Sequence, residues 1–600
     1  MSQEVFRKAE ITPSEISAGD SDEFIIRLVV GPGYTDGPSR LMLDFDATLG
    51  TSCPTRLINE ASGYVETYVT NPEVAYTMRI WDMALRRFVD RDSPSSREGG
   101  RMLVLGLSAG LTEGDIVEIH WGETTRGFGP GAKVTSVVPR PGHHSSIVVR
   151  YFDSQEEGLP DYGYSYPGYQ RPEPQAETEL TFLVKPRDLR RIRVIRQWNR
   201  ALLVPYDRFW NVADVTRFED IARADASPQR NEQGTFEFDT PHVSVRSHSV
   251  PLIDSPAMDN VFEGMNLYWG DLHTHSNHSC DCARTVRMEM MPGELMRFAR
   301  DRAGLDFFGV TDHHVPGDER GCLIQAHQWR RLIDDVQDHH RPDDFVVFPG
   351  FEMTCPRGDT IVLFKGEPGY EIIDQDFGDI RDVWRMIEGV DYMSIPHFHT
   401  AGARLPEGVW WAHPEPEHEP ALEVFSDHGS YEREDVLESG RAERKPFRYD
   451  RCGAYFLSQG YRYGFVAHSD DHKGHVGVNG LTAIFAETLD RESVFEAYRA
   501  RRTYATSNAR IRLIFTVNGQ LMGSVVPNEG RNNVHIDVAG EGPLKKVDLF
   551  RNGELFRRFT PAGLRFEADV TVEEDEPSNW YVRVTQLDNH IAISSPVWLC

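Results

Sequence analysis

Through residue 153 the chain runs in short apolar–polar alternations broken by Gly, Pro and Asp, as in DEFIIRLVVGPG, SRLMLDFDA and SSIVVRYF. Successive side chains of a strand point to opposite faces, so a period of two predicts antiparallel sheet with one face buried. Residues 154–176 are rich in Pro, Gly and Tyr and read as an exposed connection. Alternation resumes in ELTFLVKP and GTFEFDTPHVSVRS, which predicts a second all-β unit spanning 177–262.

From residue 263 the texture changes. Fully apolar strand-like runs, such as MNLYWGDLHTH, LDFFGVTDHH and DFVVFPGFEM, alternate with helical patterns such as PGELMRFARDRA and CLIQAHQWRRLIDDVQDH. This βαβα order predicts a parallel sheet or barrel with helices outside, closing near residue 510. Strand alternation then returns over 511–600, where Asn518-Gly519 and Asn552-Gly553 mark hairpins. The expected division is therefore 1–153, 177–262, 263–510 and 511–600, a multidomain α/β plus β chain with no solenoid repeat.

Composition narrows the partners. A formal net charge of −29 repels a phosphate backbone, so no nucleic-acid partner is expected. A small anionic substrate stays open, because bound cations can reverse the local field. The start MSQEVFRKAEITPSE has no apolar signal core, and no run approaches the roughly 20 apolar residues of a membrane span. Cys53, Cys280, Cys282, Cys322, Cys355, Cys452 and Cys600 are odd in number and scattered, unlike a secreted disulfide framework. The expectation is a cytoplasmic protein with reduced thiols, no membrane partner, and self-association left open.

Candidate chemistry concentrates in the βαβα region, which holds 16 of the 23 histidines. One His, Asp or Glu after another follows an apolar strand: His273 and His275, His313, Glu352, His397, His428, then Asp470 and His472. In a (β/α) barrel the C-terminal strand ends open onto one face, so these residues would converge. Imidazole with carboxylate suits Zn, Mn or Fe, and the number of ligands implies two or three divalent ions.

The motifs DLHTHS, TDHH, GFE, IPHFH, EVFSDHG and SDDH, in that order, resemble those of the PHP (polymerase and histidinol phosphatase) superfamily. The segment from GLTAIFAETLDRESVFEAY onward is similar to its DUF3604 branch. The resemblance spans about 263–523 and implies a distorted seven-stranded (β/α)7 barrel, flanked by β-sandwich-like domains, with a trinuclear site. Carried onto matching positions, it implies one ion on His273, His275, Glu352 and Asp470. Glu352 would bridge to a second ion on His397 and His428, and a third would take Asp281, His313 and His472. Asp281 stands in SCDC where the family has Ser-Asp-Gly.

His314 competes with His313 as a ligand, and Asp271 is expected to orient a ligand histidine. His399 would contact substrate or donate a proton, or sit as a satisfied bystander. Arg284 and Lys473 are candidates for a substrate anion. Cys280 and Cys282 lack a second matched pair of ligands, so they are expected to pack beside the site or respond to oxidation. The resemblance implies phosphoester hydrolysis by cation-activated water. Amidohydrolase-like cleavage of an ester, lactone or amide, and a non-catalytic binding scaffold, are the alternatives.

Overall fold

The computed structural model describes residues 5–35, 37–45, 65–82, 87–89, 101–122, 124, 132–134, 145–153, 174–280, 282, 288–315, 322–355, 358–374, 380–397, 418–433 and 452–600. In the N-terminal part, a four-stranded and a seven-stranded sheet share one apolar core. Phe24–Val30 shows how the pattern works: Phe24, Ile26, Leu28 and Val30 are buried, while the residues between them are partly exposed. Ala176–Lys185, read from the sequence as the start of the second unit, pairs instead with Ser145–Phe152 in the first. Its Leu180, Phe182 and Val184 complete that first core.

The second unit is a five-stranded sheet around Arg191–Arg196 and Ala201–Tyr206. Buried polar contacts tie it to the central region. Gln197 Nε2 donates to Asp306 Oδ1 at 2.7 Å, and Asp306 Oδ2 accepts the Trp269 amide at 2.7 Å. Arg193 makes a forked pair with Glu541 of the C-terminal part, its shortest contact being 2.8 Å.

The central region begins with β1 (Asn266–Asp271), α1 (Pro292–Asp301), β2 (Phe307–Val310), α2 (Ala326–His339) and β3 (Val346–Cys355). Pro292 opens α1, where its missing N–H costs nothing, and Glu294 accepts the Met291 amide at 3.0 Å. Leu295, Phe298 and Ala299 bury the inner stripe of α1, as Trp329, Leu332 and Val336 do for α2. There follow β4 (Gly358–Phe364), α3 (Ile380–Met386), β5 (Tyr392–His397), β6 (Ala421–Ser426), α4 (Gly453–Ser458) and β7 (Gly464–Ala467). β8 (Leu481–Ala486), α5 (Arg491–Arg499) and β9 (Thr503–Thr506) close the region.

These elements do not form the expected (β/α)7 barrel. β1, β2 and β3 pair in parallel, but β3 turns back on β4 as an antiparallel hairpin, and β4 pairs antiparallel with β5. On the other side β1 pairs antiparallel with β8, and β8 with β9. β6 and β7 are parallel partners in a separate three-stranded sheet. Five α-helices lie among the described residues, too few to cross over after each of seven strands. Helical crossovers are what parallel neighbours require, and hairpin connections replace them here.

Nor does the sheet end at residue 510. β9 pairs antiparallel with Ile591–Ser594, so the central sheet runs on into the C-terminal strands and reaches thirteen in all. Both Asn-Gly pairs close hairpins, with Asn518 at φ 50°, Gly519 at 77°, Asn552 at 49° and Gly553 at 78°. Positive φ at both central residues gives the turn whose twist matches the strands. Among the described residues, no helix is long and apolar enough to cross a membrane.

The Arg193–Glu541 pair joins the second unit to the C-terminal part, and both side chains are largely buried. Arg193→Met strands the Glu541 charge and is expected to cost about 3–5 kcal/mol. Arg193→Met/Glu541→Leu removes both charges and should recover most of the loss, as read from thermal melts of the three proteins.

A candidate multinuclear metal centre

Two antiparallel pairings in succession restore direction, so β5 runs with β1, β2 and β3. Their C-terminal ends therefore deliver side chains to one place. Past β1 the chain stays extended, and the period of two turns His273 and His275 to the same side. Thr274 faces the other way and donates to Gly309 O at 2.9 Å. The loop after β7 is laced to this extension: the Asp470 amide donates to His273 O at 2.9 Å and the His275 amide to Asp471 O at 3.0 Å. Asp470 itself adopts φ 49°, a conformation that Asp tolerates better than most residues.

Two buried carboxylates stand at the centre. Asp470 Oδ1 lies 3.4 Å from His273 Nε2 and 3.2 Å from His275 Nε2, while Oδ2 lies 3.3 Å from His397 Nε2 and 3.0 Å from His428 Nε2. Glu352 Oε2 lies 3.4 Å from His273 Nε2, 3.3 Å from His275 Nε2 and 3.0 Å from His313 Nδ1. The His472 ring stacks on His275 with centroids 4.1 Å apart.

Four overlapping groups that could hold a cation result among the described residues: His273/His275/Glu352/Asp470, His397/His428/Asp470, His275/His313/His472 and His273/His397/Glu423. In each, one ligand atom per residue lies within 4.8 Å of the others. The first is the set that the sequence implied. The sharing differs from that implied, since Asp470 reaches the His397/His428 pair and Glu352 leans toward His313.

Electrostatics and hydrogen bonding both leave room for cations. Burial pushes the Glu352 carboxyl up, but the His313 and His273 imidazoles outweigh it and hold the group well below the usual carboxylate range. Asp470 is held down in the same way by His273 and His397. Burial opposes charge on His273, yet Asp470, Glu352 and Glu423 raise its pKa well above the ordinary value. The pocket thus attracts positive charge at the imidazole nitrogens. His273 Nε2 and Glu352 Oε2 are buried and make no hydrogen bond, a cost that a divalent cation would remove. Imidazole and carboxylate donors fit Zn, Mn or Fe.

The structure also sorts the neighbours. His313 faces Glu352, whereas His314 turns into the core, donates to Ile373 O at 2.9 Å and accepts the Ile324 amide. Burial pushes its imidazole down to about 4. Asp271 orients backbone rather than a ligand ring. It accepts the amides of His273, Ser469 and Gly477 at 3.3, 3.0 and 3.2 Å, stapling β1 to the loop after β7. Burial pushes its carboxyl up to about 7.

Glu423 takes the role expected of Asp271, touching Nδ1 of His273, His397 and His468. It was readable as the one acid inside the apolar run ALEVF, where a buried charge demands partners. Lys473 follows His472 and is partly exposed. Asp281, Arg284 and His399 lie outside the described residues.

Comparison with known proteins adds a family match and distant relatives. A family described as a protein of unknown function (DUF3604) matches residues 458–530, which take in Asp470 and His472. An uncharacterized protein of Chlamydia pneumoniae is 27% identical over 405 residues, covering 62% of each chain. One of Chlamydia trachomatis is 26% identical over 379 residues, covering 56% of this chain and 57% of its own. The chain thus spans less than two thirds of the length of these curated relatives. Among solved structures, the type II cohesin dyad from the ScaA scaffoldin of Acetivibrio cellulolyticus aligns at 7% identity with a TM-score of 0.17. It covers 40% of this chain and 77% of its own, and at that score it bears no argument.

The cysteines correct the expectation of reduced thiols. Cys280 and Cys322 form a disulfide across 42 residues, joining the loop after His275 to the segment after His314. Cys282 is buried and belongs to none of the candidate ligand groups. Closing a loop of that length is worth about 4 kcal/mol in the chain-entropy account. Peptide mapping without reductant should yield one cross-linked species containing Cys280 and Cys322, and Cys280→Ser should lower the melting temperature.

Proposed function

We propose that this chain is a metal-dependent hydrolase whose two or three divalent cations activate water for phosphoester cleavage of a small anionic substrate. The observation that carries the reading is the sharing of Asp470: its two oxygens face separate pairs of histidines, 3.0–3.4 Å away. Adjoining cation positions bridged by one carboxylate are the arrangement that two-metal hydrolysis uses. Cations bound there would acidify a water and neutralise charge on a phosphoryl or acyl oxygen.

The chain's own residues divide the work three ways. His273, His275, His313, His397, His428 and His472 present nitrogen donors from different strand ends, and Glu352 and Asp470 balance the charge. Asp271 and Glu423 hold these donors still from behind. Lys473, partly exposed and next in sequence to His472, is the candidate to bind a substrate anion. The motif order supports the choice of bond. DLHTHS, TDHH, GFE, IPHFH and SDDH are similar to those of PHP-superfamily phosphoesterases, although the strands that carry them pair as an open mixed sheet.

The test is a panel of phosphomonoesters, phosphodiesters, carboxylic esters and lactones with metal-reconstituted protein. Turnover of a phosphoester is expected, abolished by chelation. His273→Ala and Asp470→Asn are each expected to lower kcat/KM by more than about 100-fold, since even outer partners of metal ligands are worth 10–100-fold. Activity that survives both substitutions sinks the site. Turnover of carboxylic substrates alone moves the chemistry to C–O or C–N bonds, and a protein that takes up less than one equivalent of metal is a scaffold.

A further inference from the structure

We propose that Glu423 is a positioning residue that ties two adjoining cation positions to a single carboxylate, so that both are formed and lost together. The inference rests on the metal-dependent reading above and concerns a residue that contributes no ligand to the three groups around Asp470 and Glu352. Glu423 sits in mid-strand on β6, fully buried. Its Oε1 lies 2.5 Å from His397 Nδ1; its Oε2 lies 3.2 Å from His273 Nδ1 and 2.8 Å from His468 Nδ1. One carboxylate thus collects three imidazole N–H donors.

The consequence is a choice of tautomer. A neutral imidazole, the form that binds a cation, keeps its lone pair on Nε2 when it donates Nδ1–H to Glu423. On His273 and His397 those Nε2 atoms are the ones that face Asp470, at 3.4 and 3.3 Å. His273 belongs to the group with His275, Glu352 and Asp470, and His397 to the group with His428 and Asp470. Glu423 therefore sets the donor atom of two different positions at once. In the third group His275 and His472 take other Nδ1 partners: His275 Nδ1 meets Ser279 Oγ at 3.1 Å, and His472 Nδ1 donates to Asp470 O at 3.0 Å.

Glu423 with His273 and His397 could instead be taken as a ligand group in its own right. Distances decide against that. Bonds of about 2.0–2.2 Å in tetrahedral array set ligand atoms roughly 3.3 Å apart, and the His397–Glu423 contact of 2.5 Å is shorter than that, while both His273 and His397 meet Glu423 through Nδ1 and turn Nε2 to Asp470. The third donor completes the network. His468 Nε2 lies 3.2 Å from Tyr498 Oη, so a neutral His468 accepts from the tyrosine and donates to Glu423. Tyr498 is fully buried on α5, which anchors the carboxylate to the helix layer.

The experiment measures uptake of Mn²⁺ or Zn²⁺ by metal-free protein in equilibrium dialysis over buffered free-metal concentrations, for the wild type, Glu423→Gln and His428→Ala. Glu423→Gln keeps size but replaces one acceptor oxygen with a donor, so two equivalents are expected to weaken by about 10–100-fold and the third to hold. His428→Ala should weaken one equivalent. The metal-free Glu423→Gln protein should still melt cooperatively, at a lower temperature because a buried acceptor of three imidazoles is lost; equal weakening of all three equivalents would mark a general packing role and overturn the proposal. Uptake by Glu423→Gln equal to the wild type, or weakening of one equivalent only, also overturns it. A wild type that binds no metal overturns the metal reading as a whole, which separates the two failures. Should Glu423→Gln not fold, Glu423→Asp is read by the same criteria, because its shorter carboxylate cannot span His273 and His397 together.

Discussion

Glu352, Glu423 and Asp470 lie almost wholly out of water, and the negative charge they carry has to be met inside the molecule. An isolated buried carboxylate would take up a proton instead. Here imidazoles from strands far apart in sequence surround the three groups and hold their pKa values well below the usual range. The central fold can be understood as what it takes to keep these side chains together. β1, β2, β3 and β5 must end on one side, β6 and β7 must bring Glu423, His428 and Asp470 to the same place, and the loops between must not drift.

That last requirement explains why so many polar groups near the site address backbone. Asp271 staples β1 to the loop after β7, and Asp471 accepts the amides of Lys473 and His475 within that loop. Asp312 takes both the amide and the hydroxyl of Ser276 at 2.6 Å, tying the strand that carries His275 to the one that carries His313. Gly480 belongs to the same set of constraints, because a Cβ there would meet His468 O at 2.2 Å. Together these contacts fix the backbone positions of the clustered histidines, as a preorganised site needs.

Much of the polar cluster was legible in the sequence, for a physical reason. A His, Asp or Glu directly after an apolar run is a polar group at or near the C-terminal end of a strand, and strand direction decides where it points. His273, His275, His313, Glu352, His397, His428, Asp470 and His472 therefore stand out even before the pairing of their strands is known. The choice between His313 and His314 is harder, because adjacent residues differ only in which side of the strand end they leave. Glu423 escapes a reading of residues that follow apolar runs, since apolar residues flank it on both sides along β6 and its carboxylate supports the clustered imidazoles from behind. Asp271 orients amides where rings were expected. One acid at a strand end can do either, and residue type does not distinguish them.

Strand pairing was the part that could not be read. Alternating apolar strands and helical patterns describe local direction, and the same local directions are compatible with a closed parallel barrel or with an open mixed sheet. The difference lies in connections such as β3 to β4, where Cys355 pairs with Gly358 and the chain returns at once without a helix. It lies also in the β1–β8 ladder, whose partners are more than two hundred residues apart. Because β4 reverses the chain twice, β5 regains the direction of β3, and the functional ends of the strands converge as they would in a barrel. Convergence of strand ends is therefore weaker information about architecture than it looks, and stronger information about chemistry. The same buried carboxylates need the same imidazoles whichever way the strands between them are hydrogen-bonded.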